Sequence, residues 1–323
     1  MHDPQQRLRV LTWHVHGNYL WYLTQVPHDF YLATDAARST HHTGRSGTLP
    51  WGDNVHEAPL QAIRDMQFDV ILYQSRAEYE ARETVLSPEQ LRLPAVYLEH
   101  DPPLESATDQ RHWADDGHAT LVHVTGFNAL MWDHRESPVQ VIDHGVRLLA
   151  PARYTGARDE GIVVVNNIST RGRRLGPDVF FELRKQVPLT LVGMGSREVG
   201  GHGEVGNRDL PPFMADYRFF LNPIRYTSLG LSVIEAMMVG LPIIGLATTE
   251  MPTVIRNGVN GWLDTRPERL VGVMRQLIAE PELARQWGEQ ARRTAQERFN
   301  IERFVDDWMR LLAGVAGRGE ILA

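Results

Sequence analysis

Several stretches of this chain hold residue types at spacings that suit an anionic, polyhydroxylated ligand. In Thr227-Ser228-Leu229-Gly230-Leu231-Ser232 a glycine turn runs into Leu231, Ile234, Met237 and Met238, apolar residues at helical spacing. The start of such a helix carries backbone N–H groups with no intrahelical partner and the positive end of the helix dipole, and so accepts phosphate. Leu229, Gly230 and Leu231 are the candidate contacts, Gly230 because it lets a ligand approach the backbone closely. Glu235, one turn in, can accept hydrogen bonds from sugar hydroxyls. Ser232-x-x-Glu235 also reads as a capping box, in which the glutamate only satisfies the helix start.

A second candidate is the basic run Ser169-Thr170-Arg171-Gly172-Arg173-Arg174, between a strand and a helix expected near Pro177. Arginine grips a diphosphate bidentately, and Arg171 and then Arg174 are the first choices. The alternative is a solvated loop. Gly193-Met194-Gly195 follows another strand; by itself it is a turn signal, and Gly195 enters the candidate set through its place after the strand. Glu99-His100-Asp101-Pro102-Pro103 also follows a strand, where open α/β sheets place ligand groups. A neutral His100 can bind a sugar hydroxyl while the adjacent Asp101 fixes its tautomer, or it can be a structural histidine.

All but one of the 14 histidines lie at or before His144, which raises the question of a metal. His14/His16 and His41/His42 lack the i,i+4 spacing and nearby carboxylate of helical zinc motifs, so no metal is expected. With no cysteine, disulfides, thiolate catalysis and cysteine-ligated zinc are excluded. A net charge of -7 argues against a nucleic-acid partner. The first half has arginines but no lysine, hence no polybasic patch, so membrane contact is at most peripheral. The N-terminus MHDPQQRLRVLTW resembles no leader and no long apolar run occurs, which points to a cytoplasmic protein.

Positioning these residues calls for two cores, since 323 residues exceed one ordinary domain. Strands are expected at Arg9–Thr12 with Trp13, at 30–33, 68–73, 94–98, 121–124 and 139–142, with helices between them starting at Tyr19 and at Phe127. This alternation implies a parallel sheet covered on both faces. Residues 34–54 are polar and Gly-rich, too long for a turn, and read as a mobile or substrate-facing loop. Gly17 either admits a ligand to the backbone or only tightens its turn. Trp13, Tyr19, Trp21 and Tyr22 fit core packing better than an acceptor site. Residues 147–160 read as a linker, after which strands at 161–166, 190–192, 219–221 and 243–247 build a second sheet. Ile301, Phe304, Val305, Trp308, Leu311 and Leu312 form an apolar helical stripe that needs a partner surface.

At Asn222–Gly261 these residues resemble the donor segment of family 4 retaining glycosyltransferases of the GT-B fold, Pro-Ser-x-x-Glu-Gly-Phe-Gly-Leu-x-x-Leu-Glu-Ala-Met-Ala-x-Gly-x-Pro. Pro223, Gly230, Leu231, Glu235, Ala236, Met237, Gly240 and Pro242 match in register. The likeness is strong over 161–312 and limited to short motifs before it, such as the Val-Ile-Asp-His-Gly-Val ending at Val146. It implies an α/β chain of two Rossmann-like domains facing across a cleft: an acceptor domain over 1–150, a donor domain over 161–300, and a final helix at 301–314 crossing back to the first. It also implies transfer of a sugar from a nucleotide-diphospho-sugar to a carbohydrate, lipid-linked or small-molecule acceptor, with retention and without a separate cofactor. Cell-envelope or exopolysaccharide synthesis is the expected setting.

By the same resemblance Glu235 meets the ribose, and His100 is a first-domain catalytic contact. Thr227 stands where the family has a glutamate beside the reacting carbon. Arg171-Gly172 matches the family's Lys-Gly with lysine replaced, and Asn167 stands where it has arginine. The Gly-Gly-x-Pro-Glu loop becomes Thr248-Thr249-Glu250-Met251-Pro252-Thr253, so Glu250 or Thr227 is expected to take over a sugar contact. The other readings are a non-catalytic nucleotide-sugar-binding protein and a sugar-nucleotide epimerase of the same shape.

Overall fold

A computed structural model describes residues 7–322. It divides into two compact units, Met1–Gly145 with Ile301–Ala323, and Val146–Asn300. Unit 1 holds seven parallel strands: β1 (Arg9–Thr12), β2 (Asp29–Thr34), β3 (Val55–Pro59), β4 (Val70–Tyr73), β5 (Ala95–Glu99), β6 (Ala119–His123) and β7 (Val139–Val141). Their order is β3-β2-β1-β4-β5-β6-β7. The crossovers contain α1 (Gly17–Leu23), α2 (Arg76–Glu80), α3 (Arg82–Val85) and α4 (Gly126–Met131). Every residue of β4, β5 and β6 is buried, as expected for parallel strands covered on both faces. Trp13, Tyr19, Trp21 and Tyr22 are buried in this unit.

β3 is not legible in the sequence, because its Val-His-Glu-Ala-Pro, at the edge of the sheet, has neither an apolar run nor clean alternation. Residues 34–54, expected as a mobile or substrate-facing loop, are pinned at several points, which speaks against the mobile alternative alone. Arg38 makes a bidentate pair with Glu57 at 2.9 and 2.8 Å, Trp21 Nε1 donates to Pro50 O at 3.1 Å, and His41 donates to Glu78. These partners lie outside the loop, where no local pattern can reveal them.

Unit 2 holds β8 (Arg158–Val164), α5 (Pro177–Arg184), β9 (Leu189–Val192), α6 (Leu210–Met214), β10 (Tyr217–Asn222), α7 (Leu231–Val239), β11 (Ile243–Leu246), α8 (Met251–Val254), β12 (Gly261–Asp264), α9 (Pro267–Ala279) and α10 (Pro281–Arg298). Its parallel sheet runs β12-β11-β10-β8-β9. The stretch read as a linker is built into this unit: Tyr154 N–H donates to Val239 O at 3.1 Å, and its hydroxyl to Arg218 O at 2.9 Å. Arg218 itself is buried, with its guanidinium donating to the carbonyls of Gly156 and Leu277 at 3.0 and 3.1 Å.

α7 ends at Gly240, whose φ of 107° suits glycine. Gly240 N–H donates to Met237 O and Leu241 N–H to Ala236 O, both at 3.0 Å, a Schellman ending. α10 crosses this ending so closely that a Cβ on Gly288 would sit 1.9 Å from Gly240 O. The pair of glycines therefore fixes where α7 lies along the sheet.

The chain then returns to unit 1 through α11 (Ile301–Leu322). Phe304, Trp308, Leu311 and Leu312 of the apolar stripe are buried. Phe304 lies edge-on to Tyr19 with ring centroids 5.6 Å apart, and a Cβ on Gly145 would come within 2.1 Å of Phe304 Cβ. Arg303 secures the helix start by donating to Asp143 O at 2.9 Å.

Two expectations follow from this packing. Gly288→Ala forces α10 off Gly240 and is expected to cost about 1–3 kcal/mol, measured by urea unfolding; a loss below about 0.5 kcal/mol contradicts the close crossing. In unit 1 the buried Asp115 carboxylate accepts from the N–H groups of Arg135, Glu136 and Ser137, all at 2.9 Å, and from Arg111 Nε at 2.9 Å. Burial alone would raise its pKa, but these donors outweigh it and hold the carboxyl well below the usual carboxylate range. A depressed folded pKa gives stability that is present above the ordinary value, about 4, and is lost as pH falls toward the folded value. Asp115→Asn is expected to cost about 2 kcal/mol at pH 7 and to flatten the fall in stability below pH about 4; identical pH profiles contradict it.

Candidate functional site

The winding of unit 2 reverses between β8 and β10. From β8 the chain passes through α5 to β9 on one side, and from β10 through α7 to β11 on the other. In an open parallel sheet this reversal leaves a crevice beyond the carboxyl ends of the two strands. The loop after β8 carries Arg171 and Arg174, and the loop after β10 carries Thr227 and Leu229.

These loops are tied to each other by the backbone. Arg225 N–H donates to Arg174 O at 2.8 Å, and the Arg225 guanidinium holds Asp178 at the start of α5 bidentately, at 2.6 and 2.7 Å. Its hydrogen bonds, with Arg173 alongside, hold the Asp178 carboxyl below its usual range. A Cβ on Gly176 would lie 1.9 Å from Pro223 O, so only glycine lets the loops close. On the other side Asn167 N–H donates to Met194 O at 2.7 Å and Met194 N–H to Asn166 Oδ1 at 2.9 Å, which places Gly195 against Asn167. The sequence pointed to Arg171, Arg174 and Gly195 but not to the Arg225–Asp178 clamp, which joins positions 47 residues apart.

α7 starts at this same edge. Its N-cap is Gly230, in extended conformation, with no side-chain cap. Ser232 is thus already inside the helix and is not its N-cap, which removes the capping-box reading. Its hydroxyl instead donates to Val164 O, the last residue of β8, at 3.4 Å. Leu231 and Ser232 are half-buried, Leu229 is buried, and Glu235 is 7% exposed on the second turn. Thr227 is half-buried in the loop that leads in. An uncapped helix start with arginines on the neighbouring loop can hold a phosphate, and a carboxylate behind it can accept from hydroxyls.

Glu250 precedes α8 and is buried. One of its carboxylate oxygens accepts from Arg298 at 3.0 Å and from Thr253 Oγ1 at 2.5 Å. The structure gives this carboxylate a role within unit 2, joining the start of α8 to the end of α10.

Unit 1 has its own reversal, between β1 and β4. His100 follows β5 beside it, half-buried, with Nε2 3.2 Å from Gln74 Oε1 and its ring edge-on to His16 and Tyr19 at 4.2 and 4.8 Å. Burial, reinforced by His16 and His144, pushes its pKa well below the ordinary value, so the ring is neutral. Near by, His41, held at a φ of 68°, donates to Glu78, which also accepts from Ser75. Gly17 begins α1, where a Cβ would lie 3.1 Å from His14 Nε2. Other histidines serve the core: His112 Nε2 is 3.1 Å from Glu99 Oε2, and burial lowers the pKa of His123 to about 3. Among the described residues no group of three histidines or carboxylates could hold a metal ion, and no helix is long and apolar enough to cross a membrane.

The placement of Glu250 gives a direct expectation. Glu250→Gln removes the charged partner of Arg298 and is expected to cost about 1–3 kcal/mol in urea unfolding; unchanged unfolding contradicts a structural role for this carboxylate.

Comparison with known proteins agrees with this geometry. Residues 176–280 match the family described as glycosyl transferases group 1. A stretch of 85 residues, 25% of this chain, is 36% identical to N-acetyl-alpha-D-glucosaminyl L-malate synthase of Bacillus anthracis and covers 22% of that protein. The chain spans about a fifth of the length of the curated relatives it matches, 17% and 22%. Among solved structures, sucrose-phosphate synthase from Thermosynechococcus elongatus superposes with a TM-score of 0.73 at 16% identity, over 97% of this chain and 100% of that one. The Anabaena protein HepE in complex with UDP gives 0.70 at 14% identity, over 96% and 100%. The chain therefore has the α/β fold of GT-B glycosyltransferases, two Rossmann-like units each built on a parallel sheet, and the segment similar to the group 1 family is the part of unit 2 that runs from Gly176 through α7 to α9.

Proposed function

We propose that the chain is a glycosyltransferase that takes a sugar from a nucleotide-diphospho-sugar bound on unit 2 and passes it, with retention of anomeric configuration, to a hydroxyl of an acceptor bound on unit 1. The observation that carries this reading is the start of α7: a glycine N-cap without a side-chain cap, at the reversal between β8 and β10, on the edge that also holds Arg171 and Arg174. The helix amides and arginines would take the charge of the departing diphosphate, where electrostatic stabilisation contributes most to such a transfer. Glu235 would hold the ribose. A uridine nucleotide is the first donor to try, because the similar HepE structure holds UDP.

Thr227 would face the donor sugar in place of a glutamate, and His100 would meet a sugar hydroxyl from unit 1. The proposed transfer uses no protein nucleophile. A carbohydrate, lipid-linked or small-molecule acceptor, and a place in envelope or extracellular polysaccharide assembly on the cytoplasmic side, complete the proposal. The uncharged Thr227 favours one second reading, a nucleotide-sugar-binding protein without turnover.

Thermal-shift titration with UDP, GDP and ADP sugars tests the binding claim, since a ligand that binds only the folded state raises its melting temperature. The expected result is stabilisation by one nucleotide series and a roughly 10- to 100-fold weaker affinity in Arg171→Ala and in Glu235→Gln, the loss of a charged hydrogen bond. No shift with any series contradicts the proposal. Binding without transfer or hydrolysis across an acceptor panel supports the second reading, and an epimer formed from donor alone supports an epimerase.

A further inference from the structure

We propose that Gln74 is a positioning residue that locks His100 in its Nε2–H tautomer, leaving Nδ1 as the lone pair that accepts a hydrogen bond from a ligand hydroxyl. Gln74 directly follows β4 and fills the crevice at the β1/β4 reversal, 4% exposed. Its amide nitrogen lies 2.8 Å from Trp13 O and 2.9 Å from Thr12 Oγ1 at the end of β1. A carbonyl oxygen can only accept, so the group facing Trp13 must be the NH2. Turning the amide over would set two carbonyl oxygens against each other at that distance. Gln74 Oε1 therefore points the other way, to His100 Nε2 at 3.2 Å, and an oxygen in that place requires the proton on Nε2.

The rest of the ring's surroundings agree. His16 from the loop after β1, Tyr19 from α1, His144 from the loop after β7 and Gln74 just after β4 are the groups that act on the ring, and no carboxylate is among the charges that shift it. Burial, with His16 and His144, drives the ring neutral. Among the described residues the ring's one side-chain hydrogen bond is the Nε2 contact to Gln74, and Nδ1 takes no part in it. A neutral imidazole whose proton is committed to Gln74 presents a pure acceptor at its other nitrogen. It binds a hydroxyl, which has a proton to give, and rejects a carbonyl, phosphate or carboxylate oxygen at the same point. The polyhydroxylated nature of the ligand rests on the glycosyltransferase reading; the tautomer does not.

The test is long-range 1H–15N spectroscopy of the full chain labelled at histidine, from pH 5.5 to 8, with His100→Asn to assign the ring. The expected wild-type spectrum has His100 as the Nε2–H tautomer with no titration in that window. In Gln74→Leu the lock is gone, and both tautomers or a titrating ring appear. In Gln74→Glu a carboxylate faces Nε2 and His100 titrates upward into the window. A wild-type Nδ1–H ring, an ordinary His100 titration, or a ring unchanged in both variants overturns the proposal. The wild-type spectrum decides on its own should either variant fail to fold. With UDP-glucose as donor, Gln74→Glu is expected to lose roughly 10-fold in kcat/KM at pH 6 and to recover toward pH 8, whereas a loss equal at both pH values overturns the acceptor role of Nδ1. Absence of turnover in the wild type with every UDP, GDP and ADP sugar across an acceptor panel contradicts the glycosyltransferase reading and leaves the tautomer assignment to the spectra.

Discussion

The start of one helix at the point where a sheet reverses its winding is the constraint on which the rest of unit 2 depends. α7 begins at Gly230 without a side-chain cap, so no capping hydrogen bond occupies its first amides. The position of the helix is set at both ends. Ser232 fastens its first turn to the last residue of β8, and the crossing of Gly240 by Gly288 fixes its last. Little freedom is left to slide, so the amides stand at the carboxyl ends of β8 and β10 as part of the sheet's own geometry.

The loops around that start are held in a different way. The Arg225–Asp178 clamp, the Arg174 carbonyl and the paired loops at Asn167 and Met194 make an edge whose backbone is rigidly cross-linked while Arg171 stays exposed. Rigid backbone with exposed arginine suits a site that must be organised before ligand arrives, since ordering a loop on binding costs affinity. In unit 1 the same principle operates through side chains, with Gln74 packed into the reversal between β1 and β4 and the 34–54 loop anchored to α2 through His41.

The parts of this that could be read from sequence are those set by short-range pattern. Apolar runs such as Val-Ile-Leu-Tyr gave the inner strands, since a parallel strand buried on both faces leaves a continuous signature. The spacing of Leu231, Ile234, Met237 and Met238 gave α7, with Gly240 its end. What stayed hidden depends on partners distant in sequence. β3 carries too little apolar pattern for an edge strand to declare itself, and Ser232-x-x-Glu235 fits a capping box although the helix starts two residues earlier. Gln74 and Arg225 have no motif of their own, and their roles come from the groups that the fold brings to them. The pairing of Glu250 with Arg298 and Thr253 likewise joins residues that no local pattern links.

The most direct test of the central claim is amide hydrogen exchange of the intact chain with and without saturating UDP. The account predicts protection concentrated at residues 229–233 and 171–176, the α7 start and the arginine loop, with the other amides of unit 2 little changed. Protection elsewhere with those segments unaffected, or none while UDP is bound, would contradict it.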